Sequence, residues 1–265
     1  MISKTFRIAR MIVLASFALS SAAWAAPCSN ASLSGTYGFL HGGVDAHGAP
    51  AAAVTQVTFD STTGTYTGED LENIDGGIAT SSVTAKYAVA KNCTVTARVR
   101  LVSGGQAENV DVSFVVTSTG LFFLFQKPGA TSSGFGLKQG SPTCTNAGVE
   151  GRFGFETTGI FLAGAAATGP VAFIGELKLT VDPSGEGVIS GHIAGSEDGT
   201  ILAFAEEPIT GSYKVDRDCR GTATITPKGQ PEMHFSVVVV DDGKEMLAVE
   251  TDADTVVNGT LVKRN

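Results

Sequence analysis

The chain has 265 residues, of which 43% are hydrophobic and 17% charged, and its formal net charge is −8. That apolar content is ample for packed cores and excludes an intrinsically disordered protein. The acidic balance excludes nucleic acid as a partner, because binding phosphate needs a positive surface.

At the N-terminus, Lys4, Arg7 and Arg10 precede an apolar stretch from Met11 to Ala18, and Ala23-Trp24-Ala25 supplies the small residues of a signal peptidase site. Residues 1–25 therefore read as a secretory signal peptide. Cleavage after Ala25 is expected, since cleavage after Ala26 would leave Pro27 at the new terminus. Pro27 also stands where a lipid-anchor signal before Cys28 would need a small residue. The apolar stretch is too short to span a bilayer, and no other segment offers a spanning helix. An exported protein, periplasmic or released to the medium, is expected, without a membrane span.

The remaining chain says the same thing twice. Cys28-Ser-Asn-Ala-Ser-Leu-Ser-Gly-Thr-Tyr-Gly-Phe39 returns as Cys144-Thr-Asn-Ala-Gly-Val-Glu-Gly-Arg-Phe-Gly-Phe155. Thr55–Asp60 overlies Leu177–Asp182, Asp75-Gly76 overlies Asp198-Gly199, Tyr87 to Cys93 overlies Tyr213 to Cys219, and Ser133-Gly134 with Lys138 overlies Asn258-Gly259 with Lys263. A tandem duplication follows, with one domain over residues 26–140 and a second over 141–265. The second copy carries a small insertion around Glu206-Glu207-Pro208, expected between strands.

Within each copy, turn signals recur at short intervals. In the first they are Gly42-Gly43, Ser61–Gly64, Asp75–Gly77, Lys91-Asn92, Gly104-Gly105, Thr119-Gly120 and Pro128-Gly129. Between them lie segments rich in Val, Thr, Phe and Tyr, about eight per copy, with no helical periodicity. In the second copy Phe173, Leu177, Leu179 and Val181 share one face of a strand, and Glu176, Lys178 and Thr180 the other. The predicted fold class is all-β: two tandem antiparallel barrels of about eight strands each, with two β-sandwiches as the alternative.

Four cysteines at matching positions in an exported chain predict two disulfides. Three connectivities are possible. Cys28 with Cys93 and Cys144 with Cys219 is preferred, because each pair joins the starts of strands one and five, which lie at the same end of an up-and-down barrel. A zinc site is disfavoured, since no CxxC pair is present and no histidine accompanies the cysteines in both copies.

Candidate chemistry is sparse. No GxSxG, HExxH or GK[ST] motif occurs. Asp252-Ala-Asp254 resembles half a calcium loop but lacks the later ligands. Asp241-Asp242-Gly243 reads as a turn, Asp218 as a turn residue before Cys219, and Glu69-Asp70 with Glu72 as a solvated face. None of the histidines is duplicated: His41 overlies Thr157, His192 overlies Glu69, and His234 falls near the counterpart of Asp111. His192 with Glu156 is conceivable as an acid/base pair inside the second barrel only if both face inward. No catalytic, cofactor or metal residue is assigned, and no cofactor is expected. Tyr37, Phe39, Tyr87 and their counterparts Phe153, Phe155 and Tyr213 read as core, and Leu121-Phe-Phe-Leu-Phe125 makes the first barrel the better host for something apolar.

The pattern Cys-x-x-Ala-x-Leu-x-Gly-x-Tyr-Gly-Phe, with a later Asn/Asp-Cys-x-x-Thr and a Gly-x-x-x-Lys strand, looks like a group of exported bacterial proteins of uncharacterised function. More distantly these resemble calycin-like and allene oxide cyclase or dirigent-like barrels. That resemblance implies binding of apolar small molecules, or guidance of their cyclisation and coupling; it carries no functional residue to this chain. Three readings follow. The first is a non-catalytic binding module holding a small apolar molecule. The second is a structural or interaction protein whose partner is an envelope component, and the third is a cofactor-free cyclase or isomerase.

Overall fold

Asp75-Gly76 and Asp198-Gly199 both take positive φ at their two positions, 51° and 80° in the first and 44° and 75° in the second. Two-residue hairpins demand that geometry, since its twist matches that of the flanking strands. Short hairpin connections, from two to seven residues long, join successive strands within each half of the computed structural model, which describes residues 27–127, 129–140, 144–165 and 168–264. The expected signal peptide and the centre of the linker lie outside the described residues.

Eight antiparallel strands form the first barrel: β1 (Gly35–Val44), β2 (Pro50–Asp60), β3 (Thr65–Ile74), β4 (Gly77–Val89), β5 (Thr94–Ser103), β6 (Gln106–Val116), β7 (Leu121–Lys127) and β8 (Ala130–Lys138). The second is built from β9 (Gly151–Phe161), β10 (Gly169–Val181), β11 (Gly187–Glu197), β12 (Thr200–Val215), β13 (Arg220–Pro227), β14 (Met233–Val240), β15 (Glu245–Glu250) and β16 (Thr255–Lys263). Each closes in sequence order, β8 pairing with β1 and β16 with β9. The insertion of the second copy falls inside β12 rather than between strands. The β11–β12 ladder shifts register between Ile193 and Gly195 to absorb it.

The repeated Cys-x-Asn motif closes one end of each barrel. Cys28 bonds to Cys93 and Cys144 to Cys219. The Asn30 side chain accepts from the Val89 amide at 3.0 Å, and Asn146 from Val215 at 2.7 Å. Tyr87 donates its hydroxyl to the Leu33 carbonyl at 3.1 Å, and Tyr213 to that of Asn146 at 3.0 Å. Leu33 and Val149 are thereby held as buried plugs. Burial, aided by Glu150, pushes the Tyr213 phenol up to about 12.

Mostly apolar side chains line the interiors, while Lys86, Arg98, Arg100 and Asp111 stand on the outer face of the first barrel. A bilayer-spanning barrel has the opposite polarity, an apolar band facing outward.

The barrels meet along a second apolar layer. Leu40, Ala52 and Val54 on the outside of β1 and β2 pack on Val238, Val240, Leu247, Val249 and Val256. Gly38 lies at the closest approach, where a Cβ would come within 2.6 Å of Val238 and 2.7 Å of Val240. At the edge of this seam Asn73, fully buried, donates to the carbonyls of Glu250 (2.9 Å) and Thr255 (2.7 Å). Asn73→Ala would strand both acceptors, and each unpaired buried group costs about 1–3 kcal/mol. The expected outcome is a loss of that order in urea unfolding of the full protein, with both disulfides intact.

Candidate binding cavity

Strand alternation points Tyr37, Phe39, Phe59, Tyr66, Phe114 and Phe123 into the first barrel. Their rings pack against one another, Phe59 and Tyr66 at 4.8 Å and Phe39 and Phe123 at 5.5 Å between centroids. This aromatic layer fills the half nearer the disulfide. Above it a cavity of about 170 Å³ rises to the opposite end, walled by Val57, Val83, Val99, Val112, Phe114 and Phe123. Asp45, Glu72 and Glu108 ring its mouth.

Four polar side chains enter this cavity from adjacent strands. His41 Nδ1 lies 2.9 Å from Ser132 Oγ, which also donates to the Gly42 carbonyl at 3.3 Å. Thr55 Oγ1 donates to Asp70 Oδ1 at 2.5 Å and lies 3.4 Å from His41 Nε2. His41 Nε2 stands 3.6 Å from Asp70 Oδ1, with the two side chains only 11% and 8% exposed. The imidazole meets Phe123 edge to face at 5.3 Å and lies parallel to Phe125 at 6.5 Å. Burial pushes the Tyr66 phenol upward, so this lining hydroxyl stays protonated.

Among the described residues, the space inside the second barrel is smaller. Following the ladders around both barrels matches His41 to Thr157, Thr55 to Gly175, Asp70 to Ile193 and Ser132 to Val257. The same equivalences put Phe173 where the first barrel has Ala53, Phe235 for Val112 and Leu261 for Gly136. Larger side chains thus fill the interior, and the residual void is about 50 Å³.

Several expectations need correction. Overlaying Thr55–Asp60 on Leu177–Asp182 is displaced by two residues, because the ladders match Val57 with Leu177 and Phe59 with Leu179. The shared Asp60 and Asp182 head similar turns, and that local likeness masked the shift. Glu69, Asp70 and Glu72 are not one solvated face. Alternation sends Glu69 outward to Arg220, while Asp70 and Glu72 turn into the cavity. His192 and Glu156 both lie on the outside of the second barrel, so they form no internal pair. They border an open surface depression of about 580 Å³ beside Ile174 and Val262, where Glu176 is already paired with Arg152 and Arg264. Asp252 holds the β15–β16 turn, accepting from the His234 amide and sitting 2.7 Å from its Nδ1. Of the Phe-rich segment, Phe123 and Phe125 face the cavity, whereas Phe122 is 60% exposed.

Glu250 was not singled out in the sequence. It matches Phe125 by ladder position and lies inward at the rim of the second barrel, 2% exposed, with no hydrogen-bond partner for Oε2. Burial, reinforced by Asp252, raises its carboxyl from 4.5 to about 7, against opposing pulls from Thr255 and His234.

Among solved structures, the chain is similar to a protein of unknown function from the DUF3598 family of Nostoc punctiforme, at 9% identity and a TM-score of 0.30, over 88% of this chain and 97% of that one. It is also similar to a beta-barrel-like protein of the domain of unknown function DUF1849 from Brucella abortus, at 12% identity and 0.21, over 87% and 97%. No protein-family model and no curated protein matches the chain.

The raised Glu250 carboxyl has a defined sign. The folded chain keeps a proton that the unfolded chain releases, so the stability it confers is complete below about pH 4.5 and lost as pH rises through about 7. Its size is about 3 kcal/mol. Urea midpoints of the wild type should fall across that window relative to Glu250→Gln, which lacks the titration.

Proposed function

We propose that the protein is an exported binding protein that takes a small molecule into its first barrel. One observation carries this reading: among the described residues the second barrel is nearly filled, while the first keeps a cavity, open at one end, with a buried polar cluster. An eight-stranded barrel is wide enough for one small ligand when side chains leave room. The cluster supports the same reading. Burying His41, Asp70, Thr55 and Ser132 is costly compared with Thr157, Ile193, Gly175 and Val257, which serve the second barrel, so a contribution other than stability accounts for them. A purely structural role would be favoured by two filled interiors. Export is supported by a disulfide in each barrel.

Native mass spectrometry of protein purified without detergent from an exporting host tests the binding reading. A small molecule released on denaturation is expected. Val112→Phe, which installs the residue of the second barrel, should reduce its occupancy at least tenfold with little loss of stability. An apo mass for the wild type would overturn the reading.

The His41 cluster favours a second reading, a cofactor-free isomerase or cyclase in which the imidazole moves a proton. Strand ladders engage the backbone amides around it, so developing negative charge would depend on side-chain donors such as Ser132 and Tyr66. On that reading, the molecule extracted from His41→Ala protein is a different isomer from the one extracted from wild type. Identical extracts would exclude it.

A further inference from the structure

The seam inside the chain joins two different faces. The Gly38 face of the first barrel, with Leu40, Val54 and Leu137 from β1, β2 and β8, sits on the Leu247 face of the second, with Val238, Val249 and Val256 from β14, β15 and β16. Because the barrels are copies, each also carries the face that the other uses, and among the described residues both of these counterparts are open. On the first barrel, Val238, Leu247 and Val249 are matched by Val115, Phe122 and Leu124. The former three are buried, whereas the latter are exposed, Phe122 by 60%. Phe122 pairs across its ladders with Val115 and Phe135, and Phe135 packs into the seam, so this apolar patch runs into an interface already formed. A contiguous patch of this kind marks an interaction surface.

On the second barrel, Gly38, Val54 and Leu137 are matched by Gly154, Ile174 and Val262. A Cβ on Gly38 would collide with the opposite barrel, but one on Gly154 would meet nothing within 4 Å. Ile174 and Val262 are half exposed, and with Gly154 they line the open depression of about 580 Å³. The two open faces complement each other in size. Phe122 is larger than Leu247, and the opposing face is smaller, with Thr260 in the place of Phe135 and Val262 in that of Leu137. Both are also more polar than the seam. Glu156 replaces Leu40 on one, and Thr131 replaces Val256 on the other, so the face opposed to the added carboxylate gains a hydroxyl donor. Such a mixed lining suits an interface between separate copies, whose halves meet water when apart.

We infer that the partner of these faces is a second copy of this chain, docked so that the Phe122 face of one copy sits on the Gly154 face of the next, in the arrangement that the two barrels adopt within the chain. Phe122 enters the depression beside Ile174 and Val262, over Gly154. The contact joins two different patches, so it links copies in series, closing into a ring where the rotation allows and extending where it does not.

Sedimentation equilibrium of the purified protein, with both disulfides formed, tests this at concentrations up to about 100 µM, where contacts of modest affinity are populated. The wild type should sediment as two or more copies. Phe122→Lys spoils one face and Ile174→Lys the other, and both positions are exposed, so each variant keeps its fold. Each variant alone should self-associate at least about tenfold more weakly than the wild type. Mixed together, the two should form a complex of one copy of each, because each retains the face that the other lacks. A misfolded variant could not do this. A monomeric wild type overturns the inference. Association that survives either substitution overturns it too, as does a mixture that stays monomeric, since both results place the contact elsewhere or between two copies of one face.

Discussion

Closure is the constraint on which everything else in this molecule depends. Once eight strands pair edge to edge in a ring, every second residue must enter a space of nearly fixed width. The volumes of those inward residues then decide whether the interior is a core or a container. The same backbone plan runs both ways here. Phe173, Phe235 and Leu261 line the small residual space of the second interior, whereas Val112, the counterpart of Phe235, lines the open cavity of the first.

The inter-barrel seam bears on the same strands. Leu40, Ala52 and Val54 face outward from the strands that carry His41 and Thr55 inward, and Asn73 lies on the strand that carries Asp70. Packing the second barrel against β1 and β2 therefore immobilises the backbone behind the polar cluster. On the binding role proposed above, side chains on fixed strands would keep their spacing with little ordering cost on binding. On this account a filled second barrel is what a buttress should be, since a cavity there would soften the surface on which the first barrel rests.

Much of this architecture was legible in the sequence. The repeated Cys-x-Asn motif, the Asp-Gly turns and the alternation of Phe, Val and Thr lead to two all-β domains of about eight strands, with barrels preferred over sandwiches, and to the observed disulfide pairing as the preferred one of three. The site was much less so. Glu69-Asp70 and Glu72 look like a solvated charge run because composition does not record which neighbour faces inward, and the turn aspartates suggested a β2 register two residues from the true one. His41 and Ser132 are 91 residues apart and meet only because β8 closes on β1. Such a pairing follows from ring closure and its register, which no local pattern states. Glu250 was hidden for a related reason: its burial depends on which side of β15 faces the barrel interior and on the seam beside it.

What the two copies share and where they differ then separates scaffold from site. The shared residues, Cys28 and Cys144, Asn30 and Asn146, Tyr87 and Tyr213, gather at one end, where they clamp the segments that carry the Cys-x-Asn motif and plug the barrels. The polar differences gather at the other end, where His41, Asp70 and Ser132 stand against Thr157, Ile193 and Val257, and Phe125 against Glu250. A closed end must meet the same steric and hydrogen-bonding demands in both copies, so changes there cost stability. The open end of a barrel already held shut at its base is free to vary, because hairpins there close the ladder whatever the inward side chains are. The aromatic layer below differs as well, Phe59 and Tyr66 standing against Leu179 and Ile189, but the buried charged and imidazole side chains of the first barrel lie toward the open end, as the proposed binding role requires.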